Sequence, residues 1–404
     1  MKCGLLGRKL GHSYSPQIHS QLWDYPYDLF EKEPEELEAF LKEGDFTGIN
    51  VTIPYKKDVI PYLDELSPVA ARMGAVNTIV RRNGKLIGHN TDYFGFTSMV
   101  LESGIAVSGK KVLVLGTGGA SNTAVAVLDE LGARVITISR TGVNNYDNLH
   151  LHRDASVIVN CTPVGMYPHN GISPVNLEVF PALEGVLDVI YNPARTQLLL
   201  DAQARGIPAM NGLWMLVAQA KESAQWFAGA EISDDRIRKI HQQLSRQMEN
   251  IVLIGMPGCG KSTVGKLLAQ SLNREFVDAD AVIAQDAGCT IPEIFAREGE
   301  EGFRARETAV LAQLGKKSGL VIATGGGCVT QPRNYPLLHQ NGRILWLRRG
   351  LDKLPTEGRP LSQANPLEAL YAVREPLYTR FADLVLDNED TIENTLHKIQ
   401  EVLA

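Results

Sequence analysis

Two glycine loops carry the residues best suited to chemistry in this chain, and they differ in design. The first, Gly116-Thr117-Gly118-Gly119-Ala120-Ser121, follows the apolar run 112–115. The second, Gly255-Met256-Pro257-Gly258-Cys259-Gly260-Lys261-Ser262-Thr263, follows the apolar run 251–254. Glycine lets a backbone approach phosphate oxygens closely, and a helix that starts at such a loop aims its N-terminus at the anion. The first loop has no lysine, which suits a dinucleotide pyrophosphate that is bound and left intact. The second has the Gly-x-x-x-x-Gly-Lys-Ser spacing of a triphosphate site, with backbone amides around the phosphates, Lys261 on the β and γ oxygens and Ser262 on Mg2+. Gly258, Cys259, Gly260 and Thr263 complete that ATP cradle. Two nucleotides and two chemistries are expected.

The elements that must hold these loops alternate between strand-like and helix-like patterns. Apolar runs at 111–115, 134–139, 156–160 and 185–190 are separated by segments of helical periodicity, which indicates α/β units on parallel sheets. Near Glu249 a polar helix with Ile237, Ile240, Leu244 and Met248 at helical spacing, N-capped by Ser233 or Asp234, runs directly into the strand at 250–254. A second break falls near Gly109, and helical periodicity returns from about 213 to 227. The expected organisation is therefore three domains. Residues 1–108 with about 213–249 form a substrate-binding α/β domain, 109–212 a Rossmann-type dinucleotide domain, and 250–404 a P-loop nucleotide domain on a parallel sheet.

Composition agrees with a globular chain large enough for two or three cores: 404 residues, 44% hydrophobic and 21% charged. A net charge of −6 argues against general nucleic-acid binding. Cys3, Cys161, Cys259, Cys289 and Cys328 are odd in number and scattered, so they form neither a disulfide framework nor a metal-ligand spacing. The N-terminus meets Lys2 and Arg8 too soon for a signal-peptide core, and no apolar run reaches membrane-spanning length. A cytoplasmic protein acting on small molecules is expected, with no nucleic-acid or membrane partner; its oligomeric state is left open.

In the first half, the strand after the first loop ends in Ser139-Arg140-Thr141, where NAD-binding folds place an acid for the ribose hydroxyl. Without that acid, and with Arg140 able to meet a 2′-phosphate, NADP is the expected dinucleotide. Polar clusters precede the loop: His12-Ser13-Tyr14-Ser15-Pro16, Asn50-Val51-Thr52-Ile53-Pro54-Tyr55-Lys56, Ala75-Val76-Asn77-Thr78 and Asn90-Thr91-Asp92. Tyr191-Asn192-Pro193 and Asn211-Gly212-Leu213 through Gln219 follow it. Singly, each cluster reads as a helix start or a cap. Together, in this order, they resemble the shikimate dehydrogenase family over residues 1 to about 245. The resemblance implies NADP(H)-linked interconversion of 3-dehydroshikimate and shikimate, with Lys56 and Asp92 as the catalytic pair. It implies Ser13, Ser15, Thr52, Asn77, Tyr191 and Gln219 as further substrate contacts. It also implies Gly116, Thr117, Gly118, Gly119, Ala120, Ser139, Arg140, Thr141, Val189 and Gly212 around the cofactor. One departure stands out: residues 142–146 hold no second basic residue, and the helix after them reads as shortened.

In the second half, Phe276-Val277-Asp278-Ala279-Asp280 ends the next strand-like run with two acids, expected on one face of an extended segment. Arginines follow in Phe303-Arg304-Ala305-Arg306-Glu307, Gly358-Arg359-Pro360 and Arg374-Glu375-Pro376, together with the bare loop Gly325-Gly326-Gly327. An anionic, hydroxylated acceptor suits that set, since arginine pairs bidentately with carboxylate. These motifs resemble shikimate kinase over residues 250–404. The resemblance implies Asp280, Arg304, Gly326 and Arg374 around shikimate, with Asp280 orienting the attacking hydroxyl. It implies Arg359 reaching the ATP phosphates from a lid, and Asp278 beside Ser262 at Mg2+. Residues 349–357 make that lid short for the family. Arg306 reads as part of an ordinary charged helix face. The expectation is a fused enzyme for consecutive steps of aromatic amino acid biosynthesis. Its alternatives are an NAD-linked quinate/shikimate dehydrogenase, a gluconate-type kinase and a non-catalytic nucleotide sensor. The catalytic side chains, all present, count against the last.

Overall fold

The computed structural model describes residues 1–11, 13–354 and 367–403. The chain divides into two compact units, one of Met1–Val164, Ser173–Tyr191 and Asp201–Gln243, the other of Gly165–Ile172, Asn192–Leu200 and Leu244–Ala404.

The first part of the chain alternates β1 (Cys3–Gly7), α1 (Ser15–Leu22), β2 (Tyr27–Glu31), α2 (Leu37–Glu43), β3 (Gly48–Val51), β4 (Glu65–Leu66), α3 (Pro68–Met73), β5 (Thr78–Arg82), β6 (Lys85–His89) and α4 (Asp92–Ser103). Its strands form one mixed sheet in the order β2-β1-β3-β5-β6-β4, with β5 antiparallel to both neighbours. Leu6, Ile49, Val51 and Ile79 are buried with Leu37 and Leu41, which face the sheet from α2. Next come β7 (Lys111–Leu115), α5 (Gly119–Glu130), β8 (Arg134–Ile138), β9 (Val157–Asn160), β10 (Gly185–Asp188), α6 (Gln197–Ala204), β11 (Ala209–Met210), α7 (Leu213–Ala228) and α8 (Asp235–Met248). This sheet is all parallel, in the order β11-β10-β9-β7-β8. Its inner strands β9 and β10 are buried along their length, as parallel strands covered on both faces must be. The chain order reverses beside β7, and in such sheets ligands bind outside the carboxyl ends of the strands at the reversal. Between residues 142 and 155 the shortened helix is a 3-10 turn, Tyr146–His152. Helix α7 returns to pack on α4, where the Trp214 indole N–H donates to Ser98 Oγ at 2.9 Å.

Helix α8 buries Ile237, Ile240, Leu244 and Met248, and only Glu249 separates it from the next strand. The second part of the chain consists of β12 (Asn250–Ile254), α9 (Lys261–Leu272), β13 (Phe276–Asp278), α10 (Ala279–Ala287), α11 (Ile291–Leu314), β14 (Val321–Ala323), α12 (Asn334–His339), β15 (Gly342–Arg348), α13 (Leu367–Phe381), β16 (Leu384–Asp387) and α14 (Ile392–Leu403). Its sheet is parallel in the order β13-β14-β12-β15-β16, again with the reversal at the strand that feeds the glycine loop. The expected extended segment carrying both acids is corrected here. The strand stops at Asp278, whose carboxylate accepts from the Asp280 and Ala281 amides and caps α10, so Asp280 sits in a first helical turn. An aspartate that can meet free amides turns the chain into a helix rather than extending the strand. Among the described residues no helix is long and apolar enough to cross a membrane.

Candidate active sites

The first site lies in a cleft of about 530 Å3 at the carboxyl end of β7. Gly116 leaves that strand with φ +109°, a conformation that side chains rarely adopt, and Ser121 Oγ donates to its carbonyl at 2.6 Å to turn the chain into α5. Gly118 caps α5 without a side chain, so the first amides of the helix stay directed at the cleft, which Gly119 and Ala120 line. On the facing wall, the Lys56 ammonium donates to Asp92 Oδ2 at 2.6 Å. Lys56 follows β3 and Asp92 opens α4; both line the cleft, whereas Lys57 is exposed and does not. Ser13, Ser15, Thr52, Asn77, Tyr191 and Gln219 complete the wall. Burial raises the pKa of the Tyr191 hydroxyl above its ordinary value.

A buried polar network stands behind this wall. Asn50 Nδ2 donates to Ser223 Oγ at 2.8 Å and to Thr78 Oγ1 at 3.2 Å, while the Asn77 side chain exchanges hydrogen bonds with Thr91 at 2.7 and 3.0 Å. Desolvated groups are costly unless paired, so this network holds strand ends and α7 in one arrangement. Ser139, Arg140 and Thr141 lie in the turn after β8, beside β7, with Ser139 Oγ accepting from the Gly142 amide at 2.7 Å. Arg140 is exposed there, off the cleft wall.

The second site occupies a pocket of about 450 Å3 at the carboxyl ends of β12, β13 and β14. Gly260, at φ +101°, caps α9 with no side chain, and the Asn388 amide pins the loop by donating to the Cys259 carbonyl at 2.6 Å. Cys259 itself is buried, so its part is played by backbone. The buried Lys261 ammonium donates to the Gly255 and Met256 carbonyls at 2.9 and 3.0 Å. Ser262 Oγ donates to Asp278 Oδ2 at 2.6 Å, and both residues border the pocket. This pair of hard oxygen donors beside a phosphate loop fits Mg2+, which takes few protein ligands and fills its shell with water and phosphate. Asp280 Oδ1 is buried without a hydrogen-bond partner among the described residues. Burial, and then the nearby Asp278 charge, raise the Asp280 carboxyl above its usual range.

Arg304 and Arg374, both nearly inaccessible, come from α11 and α13 to the same pocket. Arg304 donates to Glu307 Oε2 at 2.7 Å and to Glu300 Oε1 at 3.2 Å. Gly325-Gly326-Gly327 lines the same pocket. A Cβ on Gly326 would stand 2.6 Å from Pro257 Cδ, and one on Gly327 would strike the Arg304 guanidinium. The Tyr378 hydroxyl donates to the Gly326 carbonyl, which fixes the bare loop from α13. Phe295 and Phe303, stacked at 4.7 Å, supply an apolar wall.

These geometries meet the comparisons with known proteins. Residues 5–79 match the shikimate dehydrogenase substrate-binding domain, and residues 257–404 match shikimate kinase. A shikimate dehydrogenase (NADP(+)) of Alkaliphilus oremlandii is 35% identical over 269 residues, covering 58% of this chain and 94% of that protein. The chain belongs to the shikimate dehydrogenase family. The corresponding protein of Syntrophomonas wolfei is 36% identical over 279 residues, 61% of this chain and 96% of that one. Among solved structures, shikimate dehydrogenase 1 from Peptoclostridium difficile covers 60% of this chain and 97% of its own at 38% identity and TM-score 0.55. Shikimate 5-dehydrogenase from Thermus thermophilus, in complex with NADP(H) and shikimate, covers 60% and 99% at 31% identity and TM-score 0.55. The chain is thus a dehydrogenase half joined to a shikimate kinase half.

In the dehydrogenase half the structure brings Gly119, Ala120, Val189 and Gly212 into one cleft with the eight expected substrate-side residues. In the kinase half it brings Gly258, Gly260, Lys261, Ser262, Thr263, Asp278, Asp280, Arg304, Gly326 and Arg374 around one pocket. Arg359 lies outside the described residues, as do His12 and residues 355–357 of the expected lid. Arg306, on the outside of α11, pairs with Glu298 at 2.8 Å. Sequence reading assigned Glu307 no role in the site. The residue is fully buried and its carboxyl is pushed up to about 7, chiefly by burial, with the Arg304 charge opposing. It also missed Tyr378, Phe295 and the Asn50–Ser223 link. No local signal marks them except, for Glu307, its position one turn after Arg304.

Proposed function

We propose that the dehydrogenase half reduces 3-dehydroshikimate to shikimate with NADPH, and that the kinase half then phosphorylates the 3-hydroxyl of shikimate with ATP and Mg2+. The chain is a bifunctional shikimate-pathway enzyme with dehydrogenase and kinase activities; the direction and the residue roles are our reading. Residues 1–108 with 213–249 serve as substrate domain, 109–212 as NADP domain and 250–404 as kinase domain. The site of action is the cytoplasm.

The Lys56–Asp92 pair, 2.6 Å apart on a cleft shared with the open amides of α5, carries the first reading. Bound NADPH supplies the hydride. The developing alkoxide needs a proton at that moment, and the Lys56 ammonium, aimed by Asp92, supplies it. Ser13, Ser15, Thr52, Asn77, Tyr191 and Gln219 hold the substrate carboxylate and hydroxyls, which fixes the carbonyl face toward the nicotinamide. Arg140 meets the 2′-phosphate. In the kinase half, Arg304 and Arg374 take the shikimate carboxylate and the Gly326 backbone lies flat beside the ring. Asp280 accepts from the attacking hydroxyl; its raised pKa makes it a stronger base than an exposed aspartate. Lys261 and the α9 amides hold the phosphates, and Ser262 and Asp278 would hold Mg2+, which shields phosphate charge when bound. Arg359 adds a charge to the phosphates.

The test is an assay of the full chain with shikimate and NADP+, then with shikimate, ATP and Mg2+. Lys56→Ala is expected to lower dehydrogenase kcat by about 10^2–10^4-fold and to spare the kinase. Lys261→Ala is expected to do the reverse. Loss of neither activity in its matching variant would refute the assignments.

A further inference from the structure

Shikimate and 3-dehydroshikimate each carry a carboxylate, and an anion that leaves water for a cleft needs a compensating charge. Among the described residues that line the dehydrogenase cleft, three are charged: Lys9, Lys56 and Asp92. Lys56 and Asp92 are hydrogen-bonded to each other at 2.6 Å, so that pair is formally neutral. Lys9 is the remaining charge, and among the described residues it has no hydrogen-bond or ion-pair partner. The hydride and proton steps make no use of it.

Lys9 stands in the connection from β1 to α1 that also leads to Ser13 and Ser15, and its two neighbours are anchored. The Arg8 guanidinium turns to Glu33, with Nε donating to Oε2 at 2.8 Å. The Leu10 amide donates to Glu31 Oε1 at 2.8 Å. The Leu10 side chain, 8% exposed, packs over Gly7, where a Cβ would stand 2.5 Å from Leu10 Cδ2. Both acids beside this connection are therefore already engaged, and neither neutralises Lys9. Between its anchored neighbours Lys9 is exposed and still lines the cleft. A long cationic side chain meets both demands by laying its stem on a wall and keeping its head wet. Further along the same connection, the Ser15 amide donates to Ser13 Oγ at 3.2 Å, which holds the two serines together.

The carbonyl that Lys56 protonates and the carboxylate sit on different carbons of one ring, so the carboxylate lies away from the Lys56–Asp92 pair. Serine hydroxyls can donate to it there but bring no charge. We propose that Lys9 is a specificity-determining residue of the dehydrogenase: its ammonium pairs with the carboxylate that Ser13 and Ser15 hold, and so selects acids over their uncharged analogues. The proposal rests on the reading of Ser13 and Ser15 as substrate contacts.

The experiment compares full-length wild type, Lys9→Met, Lys9→Arg, Ser13→Ala and Ser15→Ala, with shikimate or shikimate methyl ester varied at saturating NADP+. Lys9→Met keeps the apolar stem and removes the charge. It is expected to raise KM for shikimate about five- to tenfold with kcat within about twofold, the signature of lost uniform binding. KM for the methyl ester stays within about twofold, because an uncharged ester has no ion pair to lose, so the ester-to-acid ratio of KM falls by the same factor. Lys9→Arg, which keeps the charge, recovers most of the wild-type KM for the acid. An equal rise for acid and ester in Lys9→Met would show that Lys9 acts through the shape of the loop and would refute the proposal. Unchanged KM for the acid in Lys9→Met, with raised KM in the two serine variants, would overturn the role of Lys9 and leave the serine reading intact. Unchanged KM for the acid in both serine variants would overturn the serine reading and the proposal with it.

Discussion

Glu307 offers the most direct physical test of the kinase pocket. Its side chain is fully buried, one carboxylate oxygen accepts from Arg304 at 2.7 Å, and the other has no partner among the described residues. The carboxyl is raised from 4.5 to about 7, so burial outweighs the Arg304 attraction. The perturbation is Glu307→Gln, which keeps shape and hydrogen bonding and removes the titration. Between the two values the folded chain keeps a proton that the unfolded chain has released. Stability therefore falls as pH rises through this window, being greatest below 4.5 and fully reduced above about 7. At about 1.4 kcal/mol per pH unit, the wild type loses about 3 kcal/mol relative to the glutamine variant across the window. A constant offset from the altered ion pair lies on top of this, and only the slope tests the argument. The assay is urea unfolding of both full-length proteins at several pH values from about 5 to 8, read on the transition of the kinase half. A stability difference that stays flat over that range would refute it, since the carboxyl would then titrate as an exposed glutamate does.

Two further outcomes are expected. Gly327→Ala drives a methyl into the Arg304 guanidinium, so KM of the kinase for shikimate rises about tenfold while the dehydrogenase is unchanged, as separate shikimate titrations of the two activities would show. Arg140→Ala raises KM for NADP+ about tenfold and leaves that for NAD+ within about twofold; an equal effect on both would assign 2′-phosphate recognition elsewhere.

Chemistry that depends on local chain order is legible in the sequence alone. A glycine loop between an apolar strand and a helix states its own geometry, because φ, the missing Cβ and the free helix amides are local properties. Gly116 to Ser121 and Gly255 to Thr263 accordingly sit where the alternation of strands and helices put them. The short 3-10 turn after Arg140 was equally local, announced by residues that support no helical stripe. The spacing of Ile237, Ile240, Leu244 and Met248 likewise announced the face that α8 buries.

What the sequence by itself determined, then, was two nucleotide sites, two sets of polar side chains and the family motifs that relate both sets to shikimate. The tertiary structure decided which members of those sets face a site. Lys56 and Lys57 are neighbours of equal chemistry, and only the turn after β3 sends the first to Asp92 and the second to solvent. Asp280 changed from strand to helix because Asp278 found two free amides. Glu307 became a buried partner of Arg304 rather than a surface charge because α11 packs that face inward. Asn50 bonds Ser223, 173 residues away, only because α7 returns to the first sheet. Burial and pairing between distant segments follow from which faces meet, and that is set by the free energy of the whole packed arrangement rather than by neighbours along the chain.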